Sequence, residues 1–253
     1  MDLSPLFTPA TVGRLTLKNR FIMPAMQREL SPQGVPGADM IEYYRERAEG
    51  GVSLIVGEGV AINHPTSTSY FKYARFFGEA AEGWRRILDA VKRHDGRLFM
   101  QLWHQGAVRK ENEGPHPEAP TLSPSGLLMA GQPVGRAMVQ ADFDEIRDAY
   151  AADALAARDM GFDGVEIHGA HGYFLDQFFW ADTNRRDDAY GGDLVRRAAY
   201  PCEVVRAVRA AVGPGYPISF RISQWKTRAY DAKNFESPDE LKIVLDMLRD
   251  AGV

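Results

Sequence analysis

Five short apolar runs, each followed by a loop and an amphipathic helix, limit the fold of this chain more than any other feature. The runs are 20–26 (RFIMPAM), 52–60 (VSLIVGEGV), 97–103 (RLFMQLW), 163–168 and 217–223 (PISFRIS). The intervening helices are expected at 39–49, stopped by Gly50-Gly51, and at 79–94, with Trp84, Ile87, Leu88 and Val91 on one face. Three more are expected at 141–160, opening with Asp142 as N-cap and Glu145 three residues on, at 193–212, and at 238–250 before Gly252. A hairpin around VGRLTLKN precedes the first strand, and a Pro-rich loop fills 104–140.

Strands alternating with helices imply parallel βαβ units, and near-continuously apolar strands imply a sheet covered on both faces. A dinucleotide-binding sheet would carry G-x-G-x-x-G after its first strand, and no such run is present. The long segments follow strands, where a (β/α)₈ barrel carries its functional loops. The expected fold class is therefore α/β, a TIM (β/α)₈ barrel. Only five β/α units and the first residues of a sixth strand can be counted, so residues 1–253 read as one C-terminally incomplete barrel domain.

Composition removes several classes of function. With 45% hydrophobic and 25% charged residues, the chain has ample material for a core. A net charge of −4 with no Lys/Arg-rich stripe gives no reason to expect nucleic acid. No apolar run approaches the roughly 18 residues of a membrane helix. The opening MDLSPLFTPATVG lacks a secretory pattern, so a cytoplasmic protein is expected. Cys202 is the only cysteine, which leaves no intramolecular disulfide and no cysteine-built metal site.

Polar side chains gather at the expected strand ends: Gln27, Glu58, Gln101, His104, Glu166, His168, His171 and Arg221. Each costs about 1–3 kcal/mol if buried without a partner, so a polar ligand at that rim is expected. Arg221 lies within ISFRIS, a strand otherwise suited to burial, and needs a partner. That partner is either Glu166 on the neighbouring strand or an anionic ligand ring. The segment 164–179, GVEIHGAHGYFLDQFF, sets His168, His171 and Tyr173 within six residues. The pair could bind a metal, but no H-E-x-x-H or further ligand completes a set. Core packing, or two donors aimed at one substrate oxygen with Tyr173 as proton donor, are the other readings. Phe174, Leu175, Phe178 and Phe179 read as core.

The run GFDGVEIHGAHGYFLDQFF, followed by NRRDDAYGG (184–192), closely resembles the Old Yellow Enzyme family of FMN-dependent ene-reductases. LKNRFIMPAM, QLWHQGA and ISFRIS fall in the family's order, so the resemblance covers essentially the whole chain. It implies non-covalent FMN, with Pro24, Ala25, Met26 and Gln27 along one side of the isoalloxazine and Gly59 leaving room for it. Gln101 would bond the pyrimidine edge, and Arg221 would sit near N1 and O2. His168 and His171 would bind the substrate carbonyl oxygen, and Tyr173 would deliver a proton. The implied activity passes hydride from NAD(P)H through flavin to the C=C bond of a small α,β-unsaturated carbonyl compound. Gln27 departs from the family's usual Thr or Cys, which bears on the tuning of the flavin. The alternatives are a metal-dependent barrel hydrolase or lyase using the His pair, and a non-catalytic barrel fragment whose open edges pair copies into a homo-oligomer.

Overall fold

The computed structural model describes residues 2–253. A hairpin of β1 (Ala10–Val12) and β2 (Leu15–Leu17) comes first, as expected around VGRLTLKN. The parallel sheet follows, built from β3 (Ile22–Met23), β4 (Leu54–Ala61), β5 (Arg97–Trp103), β10 (Gly164–His168) and β11 (Ile218–Arg221). Its spatial order, β3-β4-β5-β10-β11, is also the chain order. A doubly wound sheet reverses direction at a switch point, whereas a barrel wall adds each strand beside the last. The sheet is therefore of the barrel kind.

Helices α1 (Ala38–Glu49), α2 (Ala80–Lys92), α3 (Gln140–Met160), α5 (Leu194–Val212) and α6 (Pro238–Ala251) follow the five strands in turn. On α2 the expected stripe of Trp84, Ile87, Leu88 and Val91 is buried in the core. Each such side chain contributes about 1.5–3 kcal/mol when removed from water. Asp193 caps α5 by accepting from the Arg196 N–H, and Ser237 caps α6 by accepting from the Glu240 N–H.

Several expectations need correction. The first strand is only two residues long, and 24–30 continues without ladder bonds, Glu29 being left-handed at φ +56. Asp142 is not the N-cap of α3. The cap is Val139, and Asp142, on the first turn, accepts from the Val139 N–H at 2.8 Å while gripping Arg136 with both oxygens. The 104–140 segment is not plain loop. It holds β6 (Leu122–Ser123) paired with β9 (Arg136–Ala137), and β7 (Leu127–Met129) paired with β8 (Gln132–Pro133). Arg109 anchors it from inside, donating to the Ala119 and His116 carbonyls. The short helix α4 (Asp176–Phe179) also escaped expectation, although Phe174, Leu175, Phe178 and Phe179 are core as anticipated.

One bulge decides what the strand ends present. Between β4 and β5 the register slips from Val56 opposite Phe99 to Gly59 opposite Gln101. The extra residue re-aims the chain. Glu58 then turns away from the sheet's mouth, where its carboxylate accepts from the Arg28 N–H at 2.8 Å and lies 3.5 Å from Ser31 Oγ. Burial pushes its pKa up to about 7.

Asp153 on α3 is a second buried carboxyl. Its Oδ2 accepts from the Asn63 N–H and its Oδ1 has no partner among the described residues. Burial raises its pKa from 3.8 to about 7. Between those two values the folded protein keeps a proton that the unfolded chain releases, so stability falls as pH rises through that window. Each tenfold difference in proton affinity is worth about 1.4 kcal/mol. Asp153→Asn should therefore be more stable than the parent at pH 8, with the gain shrinking towards pH 5 in denaturant titrations at the two pH values.

Candidate functional site

At the carboxyl ends of the parallel strands, Ala25, Gln27, Gly59, Tyr73, Gln101, Trp103, His168, His171, Tyr173 and Arg221 enclose a cavity of about 140 Å³. Six separate segments supply these residues. Ala25 and Gln27, two residues apart, line the cavity, while Pro24 and Met26 are exposed. Gln101 and Trp103 share one face of β5, along which side chains alternate. Gly59 faces Gln101 because of the bulge, and a Cβ there would lie 3.3 Å from Gln101 Oε1 and 3.4 Å from Trp103.

Glu166 organises the interior. Its carboxylate accepts from Gln101 Nε2 at 2.7 Å, Ser219 Oγ at 3.0 Å and Arg221 Nε at 2.8 Å, with Arg221 Nη2 at 3.4 Å. The two readings of Arg221 are thus compatible, since it pairs with Glu166 and also lines the cavity. Gln101 spends its amide N–H on Glu166, which leaves its carbonyl oxygen beside Gly59.

The His168–Tyr173 turn closes the far side. Gly169 is needed there, because a Cβ would lie 2.3 Å from the Phe220 ring. The imidazoles of His168 and His171 have centroids 5.3 Å apart, and the Tyr173 ring lies 5.4 Å from His168 and 5.2 Å from Trp103. Burial, His171 and the Arg221 charge lower the His168 pKa to about 3. Burial, with Arg221 and Lys226, also lowers that of His171, so both rings are neutral near pH 7. Burial raises the Tyr173 pKa, which keeps the phenol protonated.

Two buried polar atoms of the wall, Gln27 Nε2 and His168 Nδ1, have no partner among the described residues. Such orphans are uncommon in folded proteins, and these two border the same cavity, where a ligand could satisfy them. A flat heteroaromatic ring fits this wall. It would lie over the glycine at 59, with an amide donor at Gln27, an amide acceptor at Gln101 and a guanidinium at Arg221. A larger groove of about 620 Å³, lined by Glu29, Tyr70, Phe71 and Pro117 among others, shares only Tyr73 with this cavity. The histidines, the arginine and the orphaned atoms surround the smaller space, not this groove.

Two expected rim residues sit elsewhere. Glu58 is turned away by the bulge. His104 is buried with Nδ1 accepting from the Gly106 N–H and Nε2 3.0 Å from Thr66 Oγ1. Tyr73 and Trp103 were not anticipated. Trp103 could have been found from its two-residue spacing to Gln101, whereas Tyr73 arrives on a loop with no local signal. Among the described residues no group of three or more His, Cys, Asp or Glu side chains converges on a metal-sized point, so the hydrolase or lyase alternative gains no geometric support.

The fold defines an α/β-barrel type of protein with a polar cavity at the strand ends. The chain matches the profile of the NADH:flavin oxidoreductase / NADH oxidase family over residues 5–252 and belongs to that family. It is 35% identical to an NADH oxidase of Thermoanaerobacter brockii, over 98% of this chain and 38% of the relative. It is 34% identical to 12-oxophytodienoate reductase 7 of Oryza sativa subsp. japonica, over 83% of this chain and 56% of the relative. The chain thus spans well under two thirds of the length of these curated relatives. Among solved structures, morphinone reductase in complex with tetrahydroNAD superposes with a TM-score of 0.86 at 31% identity, over 98% of this chain and 71% of that one. The Old Yellow Enzyme homologue of Zymomonas mobilis gives 0.86 at 30%, with the same coverage. These likenesses place the fold in the TIM-barrel type.

Glu166 offers a direct check on how the interior is held. Glu166→Ala should leave Arg221 and Gln101 without their acceptor and cost roughly 3 kcal/mol of stability, read as a lower denaturation midpoint.

Proposed function

We propose that this chain is the flavin-binding and catalytic part of an NAD(P)H-dependent oxidoreductase that reduces the C=C bond of small α,β-unsaturated carbonyl compounds. The observation that carries this reading is the meeting of two neutral imidazoles and a protonated phenol across one cavity from Arg221, Gln101 and the orphaned Gln27 amide. Family membership supports it independently. The printed names of several relatives, NADH oxidase and 12-oxophytodienoate reductase among them, describe oxidoreductases.

In this reading Ala25, Gln27, Gly59, Gln101 and Arg221 would hold FMN, with Pro24 and Met26 contributing through the backbone. When bound, FMN would supply the hydride chemistry that links NAD(P)H to the C=C bond of the substrate. The rest falls to the protein's own side chains. His168 and His171 donate hydrogen bonds to the carbonyl oxygen and stabilise the charge that builds there, as an oxyanion hole does. Tyr173 then gives its phenolic proton to the α-carbon and is reprotonated from solvent. The Arg221 guanidinium, already oriented by Glu166, favours negative charge on the pyrimidine edge of the ring.

We further propose that the five β/α units are the first five of an eight-stranded barrel. The solved relatives, of which this chain covers about 70%, support that reading. The open edges of β3 and β11 are where further strands, or another copy, would add. No helix among the described residues is long and apolar enough to cross a membrane, and we place the protein in the cytoplasm on its lone buried cysteine.

The purified protein should show flavin absorbance that bleaches with NAD(P)H. A colourless protein that cannot be loaded with FMN would overturn the proposal. His168→Ala combined with His171→Ala should lower enone reduction at least a hundredfold and leave flavin binding intact. Tyr173→Phe should slow enone reduction by about ten- to a hundredfold while sparing flavin reduction by NAD(P)H. Stopped-flow measurement of the two half-reactions separates these outcomes.

A further inference from the structure

A second loop grips the turn that carries His171. His171 has φ +63, a left-handed backbone that few residues with a Cβ adopt. Its N–H donates to Ser223 Oγ at 2.8 Å, and its carbonyl accepts from the Thr227 N–H and hydroxyl, both at 3.1 Å. The Trp225 ring lies against the imidazole, centroids 4.5 Å apart at 32°. One residue on, the Gly172 N–H donates to Asp176 Oδ2 at 2.8 Å.

Asp176 leads to the hidden half of this grip. Its carboxylate meets Lys226 Nζ at 3.0 Å and accepts from Asn234 Nδ2 at 2.5 Å, and the two charged side chains are 0% and 1% exposed. Lys226 is bridged to His171 in parallel and stands between Trp225 and Thr227. Side chains alternate along an extended chain. Lys226 points down to Asp176, while its neighbours on both sides touch His171. A buried ion pair rarely stabilises a fold more than apolar residues of the same size, so its desolvation cost calls for another role. Neither member lines the cavity.

We propose that Asp176 and Lys226 are positioning residues whose buried pair fastens loop 223–236 onto the 169–173 turn and so sets the direction in which His171 faces the cavity. This rests on the reading of His171 as a donor to the substrate oxygen. It assigns that donor's orientation to a contact outside the cavity. Once the pair is broken, Trp225 and Thr227 lose their anchor, and the left-handed residue is free to relax.

The test replaces both charges at nearly constant volume, Lys226→Met with Asp176→Asn, in the full flavin-loaded chain. Asn234 Oδ1, buried without a partner among the described residues, can turn to receive the new amide. Two quantities are read: amide hydrogen exchange by mass spectrometry, and the dissociation constant of 4-hydroxybenzaldehyde followed by flavin absorbance. Exchange should quicken at least tenfold in segments 169–173 and 223–229, with 97–103 and 164–168 unchanged. Binding of the phenol should weaken about tenfold and the KM for 2-cyclohexenone should rise in parallel, at unchanged flavin content. Unchanged exchange in the turn, or exchange quickened equally in all four segments, overturns the proposal.

A milder variant, Ser223→Ala with Thr227→Val, keeps the ion pair and cuts two of the grips on His171. It should reproduce the weaker phenol binding at an unchanged melting temperature, and parent-like affinity would count against the proposal. If the parent binds neither flavin nor phenol, the functional reading falls, and the exchange measurements still decide whether the pair holds the turn.

Discussion

The interior of this protein depends on one carboxylate. Glu166 stands on β10 and is flanked by β5 and β11 in parallel register, opposite Gln101 on one side and Ser219 on the other. Its two oxygens take bonds from Gln101, Ser219 and Arg221, so three strands are pinned at one height. A barrel interior is normally filled with apolar side chains, and polar groups are tolerated only when each has a partner. Glu166 supplies those partners, and Arg221 and Gln101 can then turn their remaining atoms towards a ligand. The electrostatics of the cavity follow from this, because the Arg221 charge helps keep both histidines neutral.

Much of the architecture was legible from periodicity. The apolar stripe of α2, the limits of β5 and the approximate limits of α5 and α6 arise from neighbours within a few residues, so the local sequence contains their cause. Expectation failed where a distant group intervened. Asp142 looked like a helix cap, but Arg136 holds its carboxylate, and within 104–140 the buried Arg109 bonds the Ala119 and His116 carbonyls. The first strand proved short because only Ile22 and Met23 meet β4.

The site shows the same division. His168, His171, Tyr173, Gln101, Gly59 and Arg221 could be nominated from strand-end position and family resemblance, and the fold brings them around one cavity. Glu58 and His104 had the same credentials and lie outside it. A bulge between Val56 and Gly59 removed the first, and the bond to Thr66 turned the second away. Pro24 and Met26 are exposed beside Ala25 and Gln27. Tyr73 joins the wall from a loop whose course no periodicity describes.

By itself the sequence determined the order of strands and helices, the barrel-type parallel sheet and the identity of the His-Gly-Ala-His-Gly-Tyr turn. Those properties rest on hydrophobic period, glycine placement and short-range capping. Only the tertiary structure decided that Glu166 serves both Gln101 and Arg221, that a bulge carries Glu58 away, and that Lys226 and Asp176 meet in the dry space behind His171. Each of these joins residues some 30 to 65 positions apart in the chain. Such contacts are set by how closely packed elements exclude water, which no local pattern encodes.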